Sequence, residues 1–378
     1  DLLLIENQKI EFSVIADIDK VRDQWLALQS KGMTFCFQTY EWISTWIETI
    51  GKGRHSDIFF AQVFFADQLV CLIPFEITSG KWGRRLAIVG DPVSDYFSPS
   101  FDPSFAKKID PQMWIKIWKG ITNAVYNFSR FDYVYIYQIP ESIDGVVNPL
   151  FWMNRSKSDI FCYQRILEVD VPTFKSKAFT SKMASDSKRR LRNLGELGTV
   201  KFMQADNTVD SNNIIEFLLE EKHNQLTSQN QVSIFKRNDI QQFFKKLFEH
   251  RSIAHLSVIQ VDEKNVAAHF GAQWNNRFYY MVQAYRDGDW RKYAVSRLLL
   301  EWLFEMSIES SKSVFDFTIG AESYKSTWCN SEIRIGTVID FKTTRGLIFH
   351  SSYLIRQWAR SFFARTSKSS VEEKPVST

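Results

Sequence analysis

The sequence contains the same order of predicted elements twice, and this internal repeat restricts the fold more than any other feature. In each half of the 378 residues, helices precede a strand pair, and a further strand, a helix and a last strand follow. The strand pairs align at an offset of 196 residues (266 − 70), with Val70 over Val266. Later, Phe131-Asp132-Tyr133 falls beside Phe315-Asp316-Phe317. A repeat of this length indicates duplicated domains and not a solenoid, whose units are about 20–50 residues long.

Each strand pair is predicted to be a hairpin. In the first half, IFFAQVFF and LVCLIPFEI flank Ala66-Asp67-Gln68, and in the second, HLSVIQV and NVAAHFGAQW flank Asp262-Glu263-Lys264. Apolar runs around a short polar turn are typical of antiparallel strands. Because a helix connects the later strands RFYYMVQAY and SVFDFTI, we expect helices on both faces of a mixed sheet. The predicted fold class is α/β, with two tandem domains that each contain such a sheet.

The chain is predicted to divide into four parts. We expect one domain over 1–168, a second over 169–345, an amphipathic helix over 346–365 and a disordered tail over 366–378. The polar side of the amphipathic helix carries Arg356, Arg360 and Arg365. Packing of this helix against its own domain is the favoured interpretation, and peripheral contact with a membrane surface is the alternative.

Charge and cysteine usage exclude several classes of protein. A net charge of +4 is too small to imply nucleic-acid binding. The four cysteines are widely spaced, which argues against a metal site or a disulfide framework and favours reduced thiols in a cytosolic protein. No apolar run approaches the roughly 18 residues of a membrane span, and the first residues lack the pattern of a signal peptide. An aromatic content of 15% favours large cores over an aromatic-lined binding groove.

The stretch 269–328 carries a series of spaced motifs. They are HFG at 269–271, the aromatic strand 278–280, SRLLL at 296–300, Asp316-Phe317 with Gly320, and Glu322-x-Tyr324-Lys325-x-x-Trp328. With TFCFQTYEWISTWIE and GDPVSDYFSP in the first half, they resemble the CelD-like GNAT acetyltransferase family, which is associated with bacterial cellulose and exopolysaccharide synthesis. The resemblance covers most of residues 20–345. It implies two GNAT-like domains and transfer of an acyl group from acyl-coenzyme A, with acetyl-coenzyme A as the expected donor.

The resemblance also implies where the donor binds. In the GNAT fold two central parallel strands splay apart, and these correspond to 277–285 and 313–319 in this sequence. The pantetheine arm of the donor would pair with the edge of the first strand, beside Gln283 and Tyr285. The pyrophosphate would lie at the N-terminus of the next helix, near Ala294, where free N–H groups and the helix dipole favour anions.

The turn before this helix departs from the family pattern R/Q-x-x-G-x-G/A. The matching stretch is RKYAVS at 291–296, in which Ala294 and Ser296 replace glycines that allow close approach of the backbone. Arg291, Lys292 and Arg297 offer positive charge to phosphates, and Ser296 either caps the helix or donates to a phosphate. A capped helix with a solvated basic start is the alternative interpretation.

Acyl transfer needs a base for the acceptor, an acid for the leaving thiolate and donors for the developing oxyanion. The polar cluster after the second strand offers Glu322 as the base, Tyr324 as the acid and Lys325 as a charge stabiliser or substrate anchor, because α/β folds place sites at the carboxyl ends of strands. Asp316 on that strand and His269 on the neighbouring hairpin are further candidates, and a structural role is the alternative for both.

The first half lacks such a cluster, and we expect it to be a degenerate partner domain that shapes the acceptor groove. Asp91, Asp95 and Tyr96 in the GDPVSDYFSP loop are candidates to reach that groove, and a turn held by Asx-type hydrogen bonds is the alternative. The expected acceptor is a small molecule or a saccharide with an amine or hydroxyl group.

Two other functions stay open. The Fem-type aminoacyl transferases share the duplicated GNAT architecture and take their acyl group from charged tRNA. In that case the basic helix SDSKRRLRNLG would face RNA, although its pattern also fits an ordinary surface helix. The third function is that of a catalytically silent scaffold in a polysaccharide-synthesis assembly, which the missing glycines at 294 and 296 favour.

Overall fold

A computed structural model describes residues 4–5, 8–155, 160–206, 208–320 and 324–369. The strands in chain order are β1 (Leu4–Ile5), β2 (Gln8–Ile15), β3 (Ser56–Phe65), β4 (Gln68–Gly80), β5 (Gly83–Ile88), β6 (Ser100–Phe101), β7 (Tyr133–Pro140), β8 (Ser142–Ile143), β9 (Val146–Val147), β10 (Ile160–Ile166), β11 (Val200–Gln204), β12 (Ala254–Val261), β13 (Lys264–Trp274), β14 (Arg277–Tyr285), β15 (Val314–Ile319) and β16 (Ser331–Phe341). The α-helices are α1 (Ile18–Lys31), α2 (Tyr40–Glu48), α3 (Pro103–Ala106), α4 (Pro111–Phe128), α5 (Val171–Ala178), α6 (Ser181–Gly195), α7 (Thr208–Ser228), α8 (Asn238–Leu247), α9 (Val295–Glu309), α10 (Lys325–Trp328) and α11 (Thr344–Ser369).

The two predicted hairpins are present and turn in the same way. Ala66 and Asp67 connect β3 to β4 with φ angles of 52° and 59°, and Asp262 and Glu263 connect β12 to β13 with 46° and 66°. Positive φ at both central residues is typical of the type I′ turn, whose twist matches that of the flanking strands. The same turn at equivalent places in both halves agrees with the duplication predicted from the sequence.

One mixed sheet of fourteen strands runs through both halves. Its order is β1-β2-β3-β4-β5-β7-β16-β10-β15-β14-β13-β12-β11, with β6 beside β4. Each half contains one pair of parallel strands that pair with each other over a short stretch only. β5 pairs with β7 at two positions and β14 pairs with β15 at three, from Arg277↔Val314 to Tyr279↔Asp316. The fold is therefore mixed α/β and GNAT-like, with helices flanking a large sheet and splayed parallel strands in both halves.

Each half completes the sheet of the other by contributing one strand. β10, which lies before residue 168, pairs with β15 of the second half, and β16 of the second half pairs with β7 of the first. β10 and β16 also pair with each other. The sequence did not predict either strand. The boundary predicted at 168/169 separates segments of chain, while the sheet itself is continuous across the junction.

The aromatic residues of the first half fill its core. Five tryptophans there have at most 2% of their surface exposed, namely Trp25, Trp42, Trp46, Trp114 and Trp118. Burying rings of this size supplies much of the apolar area that stabilises a domain.

The C-terminal helix differs in extent from its prediction. α11 begins at Thr344 and ends at Ser369, whereas the predicted helix covered 346–365. Residues 366–369 are thus helical, which corrects the predicted disordered tail over 366–378, and the rest of that tail lies outside the described residues. None of the helices that the structure describes is both long enough and apolar enough to cross a membrane.

Candidate active site

A cavity of about 450 Å³ opens where β14 and β15 separate. Its walls come from β14 after Tyr279, from the end of β15, from α7 and from the loop at 92–95 of the first half. This is the position that the family resemblance implies for the acyl donor, between the strands predicted at 277–285 and 313–319. The cavity therefore lies at the junction of the two halves.

The edge of β14 that faces this cavity presents backbone groups. The N–H of Arg286 donates to the carbonyl of Val266, at 2.9 Å, on the opposite side of the strand, towards β13. Because backbone groups alternate along a strand, those of Gln283 and Tyr285 point to the cavity side. The carbonyl of Tyr285 accepts a hydrogen bond from Gln225 of α7 at 3.0 Å, and the side-chain amide of Gln283 donates to the carbonyl of Ser296 at 2.7 Å.

His269 lies inside the sheet and is absent from the cavity wall. A register shift between Phe270 and Gly271 leaves Met281 as the extra residue of a bulge in β14, and the Met281 N–H donates to His269 Nε2 at 3.2 Å. The ring is fully buried and stacks on Tyr280 at 4.5 Å. Burial and the nearby His255 hold the pKa of His269 well below its usual value, so the ring is neutral. These contacts give His269 a structural role in the bulge.

Asp316 is also buried, and its contacts join the two halves. Its carboxylate accepts from the Tyr96 hydroxyl at 2.7 Å, from Arg277 at 2.8 Å and from the Thr318 N–H at 2.8 Å. Arg277 also donates to Asp144 of the first half at 2.7 Å. Burial alone would lower the pKa of Arg277, but Asp316 and the other acidic groups near Arg277 raise this pKa above its usual value. Asp316 therefore has an anchoring position, away from the cavity wall.

The start of α9 has the backbone conformation that glycine normally adopts. Ala294 is the N-cap residue, with φ 51° and ψ 43°, and no side chain caps the helix. A left-handed conformation costs an alanine about 1–2 kcal/mol, whereas glycine adopts it freely, so Ala294 is strained at a position where the family pattern has glycine. Ser296 lies inside the first turn, so it is not the helix cap that one interpretation of the sequence proposed, but it does line the cavity.

The three basic residues predicted to meet phosphates have different surroundings. Arg291 and Lys292 are exposed on the turn before α9. Arg297 is instead paired with Asp186 of α6 at 2.6 Å and with Glu301 at 3.3 Å. Bonds from Arg190, Arg297 and Arg189 lower the pKa of Asp186 far below its usual value. Arg297 therefore ties α6 to α9, which leaves Arg291 and Lys292 as the accessible cations of the predicted set.

The polar cluster after β15 is partly described. Lys325 is 3% exposed, and its ammonium donates to the carbonyls of Phe317 at 3.0 Å and Ile319 at 3.1 Å, so it holds the carboxyl end of β15 in place. Tyr324 is 40% exposed and lines the cavity, as Lys325 does. Glu322, the predicted base, lies outside the described residues.

In the first half, the loop that follows β5 occupies the space between β5 and β7. The Phe97 N–H donates to the carbonyl of Gln138 at 3.0 Å, and the Phe97 ring contacts Tyr137. The Tyr137 hydroxyl donates to the Asp91 carboxylate. Asp91 and Tyr96 are therefore engaged inside the protein, whereas Asp95 of the same loop lines the cavity of the second half. The loop of the first half therefore fills the space between β5 and β7 and also forms part of the wall of the cavity in the second half.

Several cavity residues were not predicted from the sequence. α7 and the segment after it contribute Lys222, Gln225, Gln229 and Gln231 to the wall. The sequence indicated a helix over about 208–226. Which face of this helix lines the cavity depends on packing that local periodicity does not encode.

Comparisons with known proteins agree with this geometry. Residues 181–326 match the sequence profile of the acetyltransferase (GNAT) domain. Solved structures with a similar fold include FemX, with a TM-score of 0.61 and 8% identity over 89% of this chain and 98% of that one. L-PGS from Bacillus licheniformis has a TM-score of 0.52 and 12% identity over 90% and 97% of the two chains. A conserved protein of unknown function from Bacteroides thetaiotaomicron VPI-5482 also has a TM-score of 0.52, with 10% identity over 88% and 100%. No curated protein matches the sequence. Residues 181–326 of the second half are therefore similar to a GNAT acetyltransferase domain, and at these identities the structural similarities show the fold alone.

Proposed function

We propose that this protein transfers an acyl group from an acyl-coenzyme A to an amine or hydroxyl acceptor. The observation that carries the proposal is the cavity at the separation of β14 and β15, which has the edge of β14 beyond Tyr279 on one side and the N-terminus of α9 at its end. The match of residues 181–326 to the acetyltransferase domain supports the same reaction class.

The residues around the cavity are suited to bind a thioester donor that has a pantetheine arm and phosphates. The backbone groups of Gln283 and Tyr285 offer hydrogen bonds to an extended amide-bearing arm, as an added strand would find them. The first turn of α9, with Ser296 in the cavity wall, offers N–H groups to phosphate oxygens. Arg291 and Lys292 lie outside the cavity lining, on the exposed turn before α9, and would add positive charge from there. The donor itself would supply an activated carbonyl carbon.

We assign the remaining steps to Glu322 and Tyr324. The acceptor nitrogen or oxygen attacks the thioester carbonyl and loses a proton to Glu322, the residue we propose as base. The carbon–sulfur bond then breaks, and the sulfur takes a proton from the hydroxyl of Tyr324, which lines the cavity. Lys325 holds the end of β15 in place through its two carbonyl bonds. Asp316 and His269 take no part in this scheme because both are enclosed in the sheet.

The finer proposal is an acetyl donor and a saccharide-related acceptor in exopolysaccharide or cellulose synthesis, in the cytosol. Its support is the resemblance to CelD-like proteins and the polar wall formed by Asp95, Lys222 and the glutamines of α7 and the following segment. Carboxylate and amide groups of this kind suit hydroxyl-rich or amine-bearing acceptors.

A Fem-type transfer from charged tRNA is the second candidate. It is favoured by the shape shared with FemX and by Ala294 and Ser296 in place of the glycines. The basic helix α6 weakens this alternative, because Arg189 and Arg190 are both paired with Asp186. Binding of charged tRNA with a steep salt dependence, in place of coenzyme A binding, would favour it.

The test is a thermal-shift titration with coenzyme A and acetyl-coenzyme A on the wild type, Ser296→Glu and Ser296→Gln. A carboxylate in the first turn favours the helix but repels phosphates, whereas glutamine has the same size and no charge. We expect binding to the wild type, a loss of affinity of at least tenfold in Ser296→Glu and a much smaller loss in Ser296→Gln. Absence of any shift in melting temperature at millimolar ligand would reject coenzyme A as the donor. Equal affinities in all three proteins would reject this cavity as the donor site.

A further inference from the structure

One face of α11 is fixed to the protein. The ring of Phe349 stacks on Tyr133 of β7 at 4.0 Å, and Tyr353 meets Tyr135 at 5.9 Å. Gly346 lies so close to the backbone of Asp132 that a side chain there would be 2.1 Å from its carbonyl oxygen. The first turns of the helix are therefore seated on the sheet, as the favoured interpretation of the sequence expected.

The other face of the same turns is apolar and exposed to solvent. Leu347, Ile348, Leu354 and Ile355 are 44%, 59%, 40% and 66% exposed. Positions i, i+1, i+7 and i+8 lie on one side of a helix, so these side chains form a stripe along one face, with the exposed Ser351 between the two pairs. Scattered apolar residues on a surface need no explanation, but four exposed apolar side chains on one face of a helix are typical of an interaction site.

Charge identifies the kind of partner. Between residues 344 and 369 the sequence has five basic residues and no acidic one. Arg345 and Arg356 are exposed beside the stripe. An apolar stripe bordered by cations is complementary to a surface with apolar depth and negative head groups, which is an anionic lipid bilayer. A second copy of this chain fits less well, because a symmetric contact through this face would bring two sets of cations together.

We propose that α11 docks the protein onto anionic membrane surfaces, with the stripe 347–355 entering the head-group region and the helix lying along the surface. The surface-lying orientation agrees with the lack of a membrane-spanning helix among the described residues. The proposal stands on the helix alone and does not depend on the reaction that the cavity performs.

The experiment is co-sedimentation of the full chain with vesicles of phosphatidylcholine and with vesicles of phosphatidylcholine and phosphatidylglycerol. Ile355→Glu places a charge in the stripe, and Ile115→Glu, at an isoleucine of α4 that is 55% exposed, is the matched control. Because both positions are exposed, both variants should keep the melting temperature of the wild type. We expect binding to the anionic vesicles that weakens with salt, a loss of at least tenfold in Ile355→Glu and no change in Ile115→Glu.

Three results would overturn the proposal. They are no binding to anionic vesicles, equal binding of wild type and Ile355→Glu, and an equal loss in both variants. Sedimentation equilibrium tests whether a second copy of this chain binds the stripe instead. A wild-type dimer that Ile355→Glu dissociates, together with no vesicle binding, would assign the stripe to self-association.

Discussion

Replacing Asp316 by asparagine removes the negative charge that faces Arg277 at the junction of the halves. Both side chains are at most 5% exposed, and the two atoms that pair are 2.8 Å apart. Removing one partner of a buried ion pair costs about 3–5 kcal/mol. We expect the lower value, about 3 kcal/mol, because asparagine keeps an oxygen for Tyr96 and because Arg277 retains Asp144.

This free-energy change corresponds to a measurable shift in melting temperature. For 378 residues, an unfolding entropy of about 2.1 cal/mol/K per residue amounts to about 0.8 kcal/mol/K, so the melting temperature should fall by about 4 °C. Asp316→Ala should cost more, because Tyr96 then loses its buried acceptor as well. In a double-mutant cycle with Arg277→Met, the double variant should lose less than the sum of the single losses.

Urea unfolding and calorimetry measure these losses, with Glu11→Gln as the control. Glu11 pairs with Lys9 at 2.7 Å on the surface, with both side chains more than 50% exposed, so its loss should stay below about 1 kcal/mol. A cost of less than about 1 kcal/mol for Asp316→Asn, or strict additivity with Arg277→Met, would refute the view that this pair anchors the halves.

Four further outcomes follow from the same contacts. Ala294→Gly should leave the free energy of unfolding unchanged or raise it by up to about 1 kcal/mol, and Ala294→Val should lower it by about 2 kcal/mol, because a β-branched residue resists the left-handed conformation; equal values in urea unfolding would contradict this. Lys325→Met should lower stability by about 1.5–3 kcal/mol through the loss of two bonds from a charged donor, and an unchanged melting temperature would exclude the clamp. Tyr324→Phe should reduce kcat about tenfold or more with little change in KM, and wild-type kcat would remove the hydroxyl from the chemistry. Burial lowers the pKa of His255 from 6.5 to about 3, so the unfolded state takes up the proton first and stability falls as the pH drops below 6.5. Because of His255, the free energy of unfolding should be about 2 kcal/mol lower at pH 5 than at pH 7. A pH dependence equally steep in His255→Gln would disprove this assignment.

The sequence predicted the elements that local patterns encode. β14 was predicted at 277–285 and is found at Arg277–Tyr285, and the helix predicted to begin near Ala294 begins at Val295. Apolar periodicity and turn chemistry are local signals, which is why the hairpins and the central helices were predicted correctly. The separation of β14 and β15 was expected from the family resemblance and not from these patterns.

What the sequence did not reveal depends on distant partners. β10 contains Gln164 and Arg165, whose polar side chains conceal the strand pattern, yet both are buried, and Gln164 accepts from Arg277, 113 residues away. The hydrogen bond between Asp316 and Tyr96 joins residues 220 positions apart, so the sequence left a catalytic and a structural role for Asp316 both open. Similarly, β10 pairs with β15 and β16 pairs with β7, and no local pattern indicates pairing between segments so far apart in the chain.

The most direct test of the donor slot is a crystal structure of the protein with coenzyme A. The account predicts the pantetheine arm between β14 and β15, alongside the backbone of Gln283 and Tyr285, with the pyrophosphate at the first turn of α9 beside Ser296. Coenzyme A bound anywhere else, or crystals that remain without it under saturating ligand while the cavity stays open, would contradict the assignment of this cavity to the acyl donor.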